Sequence, residues 1–300
     1  YTFCNGENYI TSVVANGRIA CGAKDASAIY YYDGAHLLAY TTGLYFGLNG
    51  SDWTFEAVGS NDISAINFVA AANGAIGMYN IQSGGRWLHL STDNGNYINR
   101  CSANTCGASH NWTIEEVEAL PVSITKAGYA TFFAPVAVQL PTGVTAHTVT
   151  INGEWATLSE AYNAVPAQNG VILAGGSYNL TIVESAAAID NNILEGSVAA
   201  TNVQGEAYVL GVVDDEVGLY KAQMNGTSWL NNSHKAYLPV AGDANLTAAF
   251  YGFNWDGTTG VENVEVENVV KTIYDLTGRK VETISAPGIY IINGVKRVVR

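Results

Sequence analysis

The chain has 300 residues, of which 48% are hydrophobic and 13% charged, and its 13 Lys and Arg stand against 26 Asp and Glu for a formal net charge of −13. This composition excludes an intrinsically disordered chain, which needs few apolar residues and a high net charge. It also argues against a nucleic-acid partner, because phosphate binding needs clustered Lys and Arg. No apolar run reaches the ~18 residues of a membrane-spanning helix, so we expect no membrane span.

The charge is distributed unevenly along the chain. The last thirty positions hold six basic and two acidic residues, a formal charge of +4, whereas the other 270 positions hold seven basic and 24 acidic residues, a formal charge of −17. A change of sign this abrupt predicts a separate module at the C-terminus.

Turn dipeptides recur throughout, with Asn-Gly nine times and Asp-Gly twice between short runs rich in Val, Ile, Tyr and Thr. Type I′ hairpin turns need positive φ at both central residues, which Asn and Gly tolerate at low cost. The pattern predicts an antiparallel, all-β protein. Only residues 158–165 and 184–194 have a helical period, and each is long enough for two or three helical turns.

Residues 1–118 contain an internal repeat. Its clearest copies surround Trp53 and Trp112, each preceded by a hairpin segment, and a weaker copy opens the chain with Ile29 in the place of the tryptophan. One such unit cannot bury its apolar face alone, so three units must close together. The order and repetition resemble the β-trefoil of ricin-B-like lectin domains, which implies an N-terminal, carbohydrate-binding β-trefoil over residues 1–118.

The lectin resemblance does not extend to the sugar site. In ricin-like lectins each repeat has an Asp near its first turn, an aromatic wall and a Gln-x-Trp motif, and here Ser51 and His110 replace the glutamine. Aromatic residues crowd this region, and sugars stack their C–H faces on aromatic rings. We therefore expect a binding face at Trp87, Tyr97 and Asn99, with glycan as the ligand.

Residues 119–261 have a different sequence pattern, in which short strand-like segments are separated by Gly and Pro. This pattern predicts a central β-sandwich. The order of segments, from Gly128-Tyr129-Ala130-Thr131 to Lys235-Ala236-Tyr237-Leu238-Pro239, is similar to a module of secreted Bacteroidota proteins. That module has no assigned chemistry, so the similarity implies no activity here.

Residues 262–300 comprise an acidic linker and a patterned, basic end. The pattern resembles the type IX secretion C-terminal sorting domain, a small Ig-like β domain; an ordinary Ig-like tail is the alternative. The resemblance implies export across the outer membrane, recognition by the secretion and sorting machinery, and a secreted or outer-cell-surface location. The residues that carry it are Tyr274, Asp275, Gly278, Arg279, Gly288, Tyr290, Gly294, Lys296 and Arg297.

Four cysteines, Cys4, Cys21, Cys101 and Cys106, lie in the first 106 residues at spacings that match no zinc template. We expect two disulfides, Cys101–Cys106 and Cys4–Cys21, and the alternative is four reduced, partly buried thiols. The five histidines also lack the spacing of metal ligands. The sequence therefore predicts neither a metal site nor a cofactor.

Catalytic motifs are absent: there is no G-x-S-x-G elbow, no phosphate-binding loop and no H-E-x-x-H. We interpret the chain as a non-catalytic, secreted or surface carbohydrate-binding protein of the adhesin type. One alternative is the C-terminal accessory region of a larger secreted hydrolase, a glycosidase or peptidase whose catalytic domain precedes Tyr1. Another is a structural surface protein with protein partners. A start at Tyr1 fits either a removed signal peptide or a fragment of a longer protein.

Overall fold

Antiparallel strands make up nearly all the secondary structure in the computed structural model, so the prediction of an all-β protein is confirmed. The structure describes residues 1–255, apart from positions 51, 73–75, 94, 103–106, 125–126, 154, 214–215 and 241–245, together with four strands within residues 273–299. From residue 254 onward only the backbone is described. Within the described residues the helices are two short 3-10 helices, Ala26–Ala28 and Gly107–His110.

The first 115 residues contribute twelve strands in the described part of the chain. They are β1 (Thr2–Asn5), β2 (Asn8–Ala15), β3 (Arg18–Gly22), β4 (Tyr30–Tyr32), β5 (Leu37–Ala39), β6 (Tyr45–Asn49), β7 (Asp52–Glu56), β8 (Asn67–Ala70), β9 (Tyr79–Ser83), β10 (Arg86–Ser91), β11 (Tyr97–Ser102) and β12 (Thr113–Glu115).

Six of these strands form three hairpins, β2–β3, β6–β7 and β10–β11. The turn of the first hairpin is Asn16-Gly17, and both residues have positive φ, 51° and 73°. These are the angles that a type I′ turn requires, and Asn and Gly adopt them at the lowest cost. The Asn-Gly signal in the sequence therefore has its expected structural basis at this hairpin.

The other six strands are linked, each to the next, by backbone hydrogen bonds that close a circuit. Ladders connect β12 with β1, β4 with β5, and β8 with β9. Backbone hydrogen bonds of 2.7–2.9 Å make the three remaining connections, at Tyr1–Tyr30, Ala35–Ile66 and Tyr79–Trp112.

Three buried side chains occupy corresponding places at these closures: Tyr30, Ile66 and Trp112, each at most 2% exposed and all in one hydrophobic core. The sequence repeat predicts that Trp53 and Trp112 occupy equivalent positions. In the structure the residue equivalent to Trp112 in the second unit is Ile66, not Trp53. Trp53 lies in the hairpin strand β7, whereas Trp112 lies just before β12 and pairs with Tyr79 of β9. Both tryptophans precede a Thr-apolar-Glu run, so their local sequences look alike although their places in the circuit differ.

Residues 119–255 add sixteen strands among those described. They are β13 (Ala119–Val122), β14 (Tyr129–Phe132), β15 (Ala137–Gln139), β16 (Thr145–His147), β17 (Val149–Asn152), β18 (Trp155–Leu158), β19 (Ala164–Val165), β20 (Val171–Ala174), β21 (Tyr178–Val183), β22 (Glu195–Ser197), β23 (Thr201–Gln204), β24 (Ala207–Val213), β25 (Glu216–Lys221), β26 (Ser228–Asn231), β27 (Lys235–Pro239) and β28 (Phe250–Trp255). Their sheets have the orders β13-β21-β15-β19, β14-β20-β16, β17-β18-β28-β25-β24-β27-β22 and β23-β26.

The two segments with a helical period are not helices. Residues 158–165 run from the last residue of β18 through a connecting segment to β19. Residues 184–194 contain neither a helix nor a strand. Ile189 and Leu194 instead pack into two separate β-cores. A helix this short is marginal without a packed apolar face, so burial of these two side chains decides the backbone conformation.

The chain divides into two compact units, Tyr1–Asp256 and Gly257–Arg300. The regions predicted as a trefoil and a sandwich both belong to the first unit. Ile29, from the first region, packs into the core built from residues 120–189, so the two regions share buried surface. The predicted boundary at residue 261 and the linker at 262–269 lie outside the described residues.

The second unit contains four strands among its described residues: β29 (Ile273–Asp275), β30 (Lys280–Val281), β31 (Gly288–Ile292) and β32 (Val295–Val299). They form one antiparallel sheet in the order β30-β29-β31-β32.

The predicted Cys4–Cys21 disulfide is wrong, because both cysteines are free and buried. Strand β2 lies between them, and two strand spacings amount to roughly 9–10 Å, beyond the reach of a disulfide. Tyr9 of β2 pairs with Cys4 on one side and with Gly22 on the other, so Cys21 projects to the opposite face of the sheet. Cys101 is disulfide-bonded. Its predicted partner Cys106 lies outside the described residues, so that pairing stays a prediction.

Replacing Trp112 with Phe should lower the free energy of unfolding by about 1–3 kcal/mol, because the indole Nε1 donates to Leu88 O at 3.0 Å in the core and the variant leaves that carbonyl unpaired. Urea denaturation measures the change. The matched variant Trp155→Phe alters a side chain that is 53% exposed and should stay within about 0.5 kcal/mol of the wild type. Equal effects of the two variants would contradict the buried closure at Trp112.

Thiol titration of the unreduced protein tests the cysteine assignment. Ellman's reagent should react with two thiols per chain in denaturant, those of Cys4 and Cys21, if Cys101 is bonded to Cys106. In the native protein these two thiols should react far more slowly, because both are buried, and burial raises the pKa of Cys21 to about 12. A count of zero in denaturant would restore the predicted Cys4–Cys21 bond.

Candidate functional site

The three residues expected to bind sugar lie on one side of the β10–β11 hairpin. The cross-strand pairs on this side are Trp87–Cys101, His89–Asn99 and Ser91–Tyr97. We call Trp87, His89, Tyr97 and Asn99, all half-buried, the hairpin face. Successive residues of a strand point to opposite sides, and the alternate residues Leu88, Leu90 and Ile98 are buried in the core. Burial of these three side chains therefore turns the hairpin face outward.

Neighbouring groups hold the polar and aromatic side chains of the hairpin face in place. The Tyr97 hydroxyl accepts a hydrogen bond from Asn16 Nδ2 at 3.2 Å, and the Tyr97 ring lies against Gly95, where an added Cβ would sit only 2.5 Å from it. Asn99 Oδ1 accepts from the backbone N–H of Arg100 at 2.8 Å, which leaves the amide nitrogen of Asn99 as a donor.

One histidine packs against Trp87, and a second lies on the same hairpin face. The Trp87 ring meets the buried His110 ring edge-on at a centroid distance of 5.0 Å. Burial lowers the pKa of His110 and of His89, and repulsion between these two rings lowers that of His110 further. Both imidazoles are therefore neutral at pH 7, so the hairpin face is an uncharged aromatic surface.

A polar pocket of about 170 Å³ adjoins the hairpin face. Each of the three hairpins contributes to its walls, and Asn99 belongs to both the pocket and the hairpin face. Tyr97 pairs with Ala20 in β3, and continuing this antiparallel register by two residues places Arg18 opposite Asn99. We call this the three-hairpin pocket; its polar wall residues are Asn16, Arg18, Asp52, Trp53, Asn99 and Arg100.

Hydrogen-bond donors dominate the three-hairpin pocket. Arg100 Nη1 lies 3.9 Å from Asp52 Oδ1, a loose ion pair between two exposed side chains. Arg18 has no ion-pair partner in the part of the chain that the structure describes. Trp53 is 5% exposed, and its Nε1 finds no acceptor among the described residues. The pocket therefore carries two guanidinium groups against one carboxylate.

Sequence reasoning missed the three-hairpin pocket because its residues lie far apart in the chain, at positions 16–18, 52–53 and 98–100. One signal was present. The first 270 residues contain only three arginines, Arg18, Arg86 and Arg100, and one of these directly follows an Asn-Gly turn. Charged side chains this scarce in an acidic protein are candidates for a specific role.

A second cavity, of about 270 Å³, lies between the first region and the central strands and has mostly aromatic and aliphatic walls. His234 lines it, 8% exposed, with Nδ1 3.0 Å from Phe133 O and its ring 4.4 Å from that of Tyr40. Since the Phe133 carbonyl can only accept, His234 Nδ1 carries the proton. Tyr40 donates to Pro121 O at 2.8 Å, so Tyr40 and His234 join the two regions. These contacts hold the two regions together beside the cavity.

Burial lowers the pKa of His234 to about 4, from an ordinary value of 6.5. Its backbone is left-handed, with φ at 56°, a conformation that His and Asn tolerate better than most residues. His234 is therefore held neutral inside the protein at neutral pH, and its protonation opposes folding.

A cluster of titratable side chains surrounds Glu115 and holds strands together. Glu115 accepts hydrogen bonds from Lys24 Nζ at 2.6 Å, from the Thr2 hydroxyl at 3.2 Å and from the Tyr9 hydroxyl at 3.3 Å. Lys24 accordingly lowers the pKa of Glu115. Burial raises the pKa of the nearby Cys4 thiol, the opposite of what a nucleophilic cysteine needs. Among the described residues, no group of three or more His, Cys, Asp and Glu side chains could hold a metal ion.

The residues of the sorting pattern fall partly on the C-terminal sheet. Tyr274 and Asp275 lie in β29, Gly288 and Tyr290 in β31, and Lys296 and Arg297 in β32. Tyr290 pairs with Asp275 on one side and with Arg297 on the other, which places these three positions in one row across the sheet. Gly278, Arg279 and Gly294 lie outside the described residues.

Comparisons of the chain with protein-family models and with curated proteins find no match. In the described part of the chain no helix has the length and apolarity needed to cross a membrane.

Replacing His234 with Asn tests its burial through the pH dependence of stability. The folded-state pKa lies below that of the unfolded chain, so the unfolded chain takes up the proton first as the pH falls. Wild-type stability should therefore drop by about 3 kcal/mol more than that of His234→Asn between pH 6.5 and pH 4. Asparagine tolerates the left-handed backbone and can donate to Phe133 O, but it does not titrate. Parallel pH profiles of the two proteins in urea denaturation would contradict the buried, neutral His234.

Proposed function

We propose that the protein is a non-catalytic, secreted or cell-surface glycan-binding protein, and that its hairpin face holds the sugar. The observation that carries this proposal is the convergence of Trp87, Tyr97 and Asn99 on one half-exposed side of a single hairpin. Sugar rings offer apolar C–H faces and polar hydroxyls, and this face offers aromatic rings beside an amide. Sites for small ligands commonly combine aromatic walls with a few fixed polar groups in this way.

We further propose that residues 1–118 form a β-trefoil. Three hairpins and a closed circuit of six strands support it, as do the corresponding positions of Tyr30, Ile66 and Trp112. Three equivalent units that close on one core are what an internal repeat of this length requires. In this assignment the hairpin face belongs to the third repeat, β9 to β12.

Export belongs to the same proposal. Residues 119–261 would be a β-sandwich, and residues 262–300 a linker and an Ig-like sorting domain read by the type IX secretion machinery. The change from an acidic body to a basic end and the spacing of the pattern around Tyr274, Tyr290 and Arg297 support this assignment. Secretion would place the glycan-binding surface outside the cell, where glycans are accessible to it.

A glycan array read with the wild type and with Trp87→Ala tests the proposal. The wild type should bind a defined set of glycans, and Trp87→Ala should weaken that binding at least tenfold, equivalent to about 1.4 kcal/mol of lost stacking. Trp155→Ala is the matched control, since it removes an exposed tryptophan from β18, outside the first 118 residues. That variant should bind like the wild type.

Two results would contradict the proposal. Binding that survives Trp87→Ala unchanged would move the sugar away from the hairpin face. A wild type that binds no glycan would favour a structural surface protein with protein partners, or an accessory region of a larger hydrolase.

A further inference from the structure

We propose that the three-hairpin pocket binds the anionic group of an acidic glycan, a carboxylate or a sulfate on the sugar that the hairpin face holds. This inference rests on the proposed glycan binding and specifies the class of sugar. Guanidinium groups match the oxygens of carboxylates and sulfates with paired hydrogen bonds, and they keep their charge at all physiological pH values.

The polar wall of the pocket is suited to an anion. Arg18 and Arg100 both line the pocket, and so does Asn99, whose amide nitrogen is a donor. Asp52 is the one carboxylate in the wall, and it lies beside Arg100 at 3.9 Å. Arg18 has no counter-ion within the described residues and is therefore free to pair with a ligand.

The charge of the rest of the chain makes this pocket distinctive. The first 270 residues carry a formal charge of −17, yet two of their three arginines line one pocket of about 170 Å³. An acidic ligand is repelled by most of such a body and attracted at the pocket, so the charge distribution selects both the ligand and its position.

The geometry links the anion to the sugar ring. Asn99 belongs to the hairpin face and to the pocket, and the strand register places it opposite Arg18. Asn16 lines the pocket and donates to the Tyr97 hydroxyl of the hairpin face at 3.2 Å. A sugar stacked on the hairpin face therefore has Arg18 along the edge that it shares with the pocket, where an acidic substituent would meet it. Arg100 pairs with Leu88 and so lines the pocket from the other side of β11.

The test compares pairs of glycans that differ only in one group: glucose against glucuronic acid, and an unsulfated sugar against its sulfated form. The wild type should prefer the acidic member of a pair at least tenfold at low salt. Added salt should reduce that preference, because it screens exposed charges. Arg18→Gln and Arg100→Gln should each bring the ratio towards one while binding of the neutral member is kept.

Arg86→Gln is the matched control, since Arg86 is the third arginine of the body and does not line the pocket. It should keep the wild-type preference. Circular dichroism checks that each variant is folded, and Gln retains most of the side-chain length.

The outcomes separate this inference from the proposed function. Preference for carboxylate, for sulfate or for both, lost in the pocket variants, supports the inference and identifies the group. Glycan binding that depends on Trp87 but ignores the acidic group overturns the inference alone. A preference that survives both arginine substitutions assigns the anion to another site, and an absence of any glycan binding overturns both proposals.

Discussion

The closure of three chain segments on one core is the constraint on which the first 118 residues depend. Backbone hydrogen bonds at Tyr1–Tyr30, Ala35–Ile66 and Tyr79–Trp112 complete the circuit, and the side chains of Tyr30, Ile66 and Trp112 fill the core beside it. Because the circuit uses six strands, the other six are left as hairpins. The candidate site is a consequence of this arrangement, since residues from all three hairpins line one pocket.

The candidate site combines an uncharged surface with an adjoining positively charged pocket. The hairpin face is aromatic, and burial keeps both its own His89 and the adjoining His110 neutral. Next to it, Arg18 and Arg100 concentrate positive charge in a body that is otherwise acidic. A surface with an uncharged stacking platform and an adjoining cationic pocket discriminates both by shape and by charge, which is what recognition of an acidic sugar would need.

The sequence was informative where a feature is local. The all-β class follows from turn dipeptides such as Asn16-Gly17, because Asn and Gly adopt the positive φ angles of a tight hairpin turn at low cost. Trp87, Tyr97 and Asn99 could be grouped because they lie on neighbouring strands of one hairpin.

Features that depend on long-range pairing could not be predicted. Cys4 and Cys21 fit a disulfide by spacing, but the strand between them keeps them apart. Trp53 and Trp112 have similar neighbours, yet one lies in a hairpin and the other at a closure. Arg18 and Arg100 line one pocket although 81 residues separate them in the chain, and no local pattern in the sequence signals that arrangement.

The central claim is that sugar binds at the hairpin face, and the indole N–H signals of the protein report on it directly. The chain has six tryptophans, so NMR of this 300-residue chain resolves a small set of indole resonances that single Trp→Phe variants assign. On addition of a glycan found by the array, the Trp87 signal should shift in a saturable way, while the signals of the buried Trp112 and of the exposed Trp155 stay in place. A saturable shift at Trp155 with none at Trp87 would contradict the account.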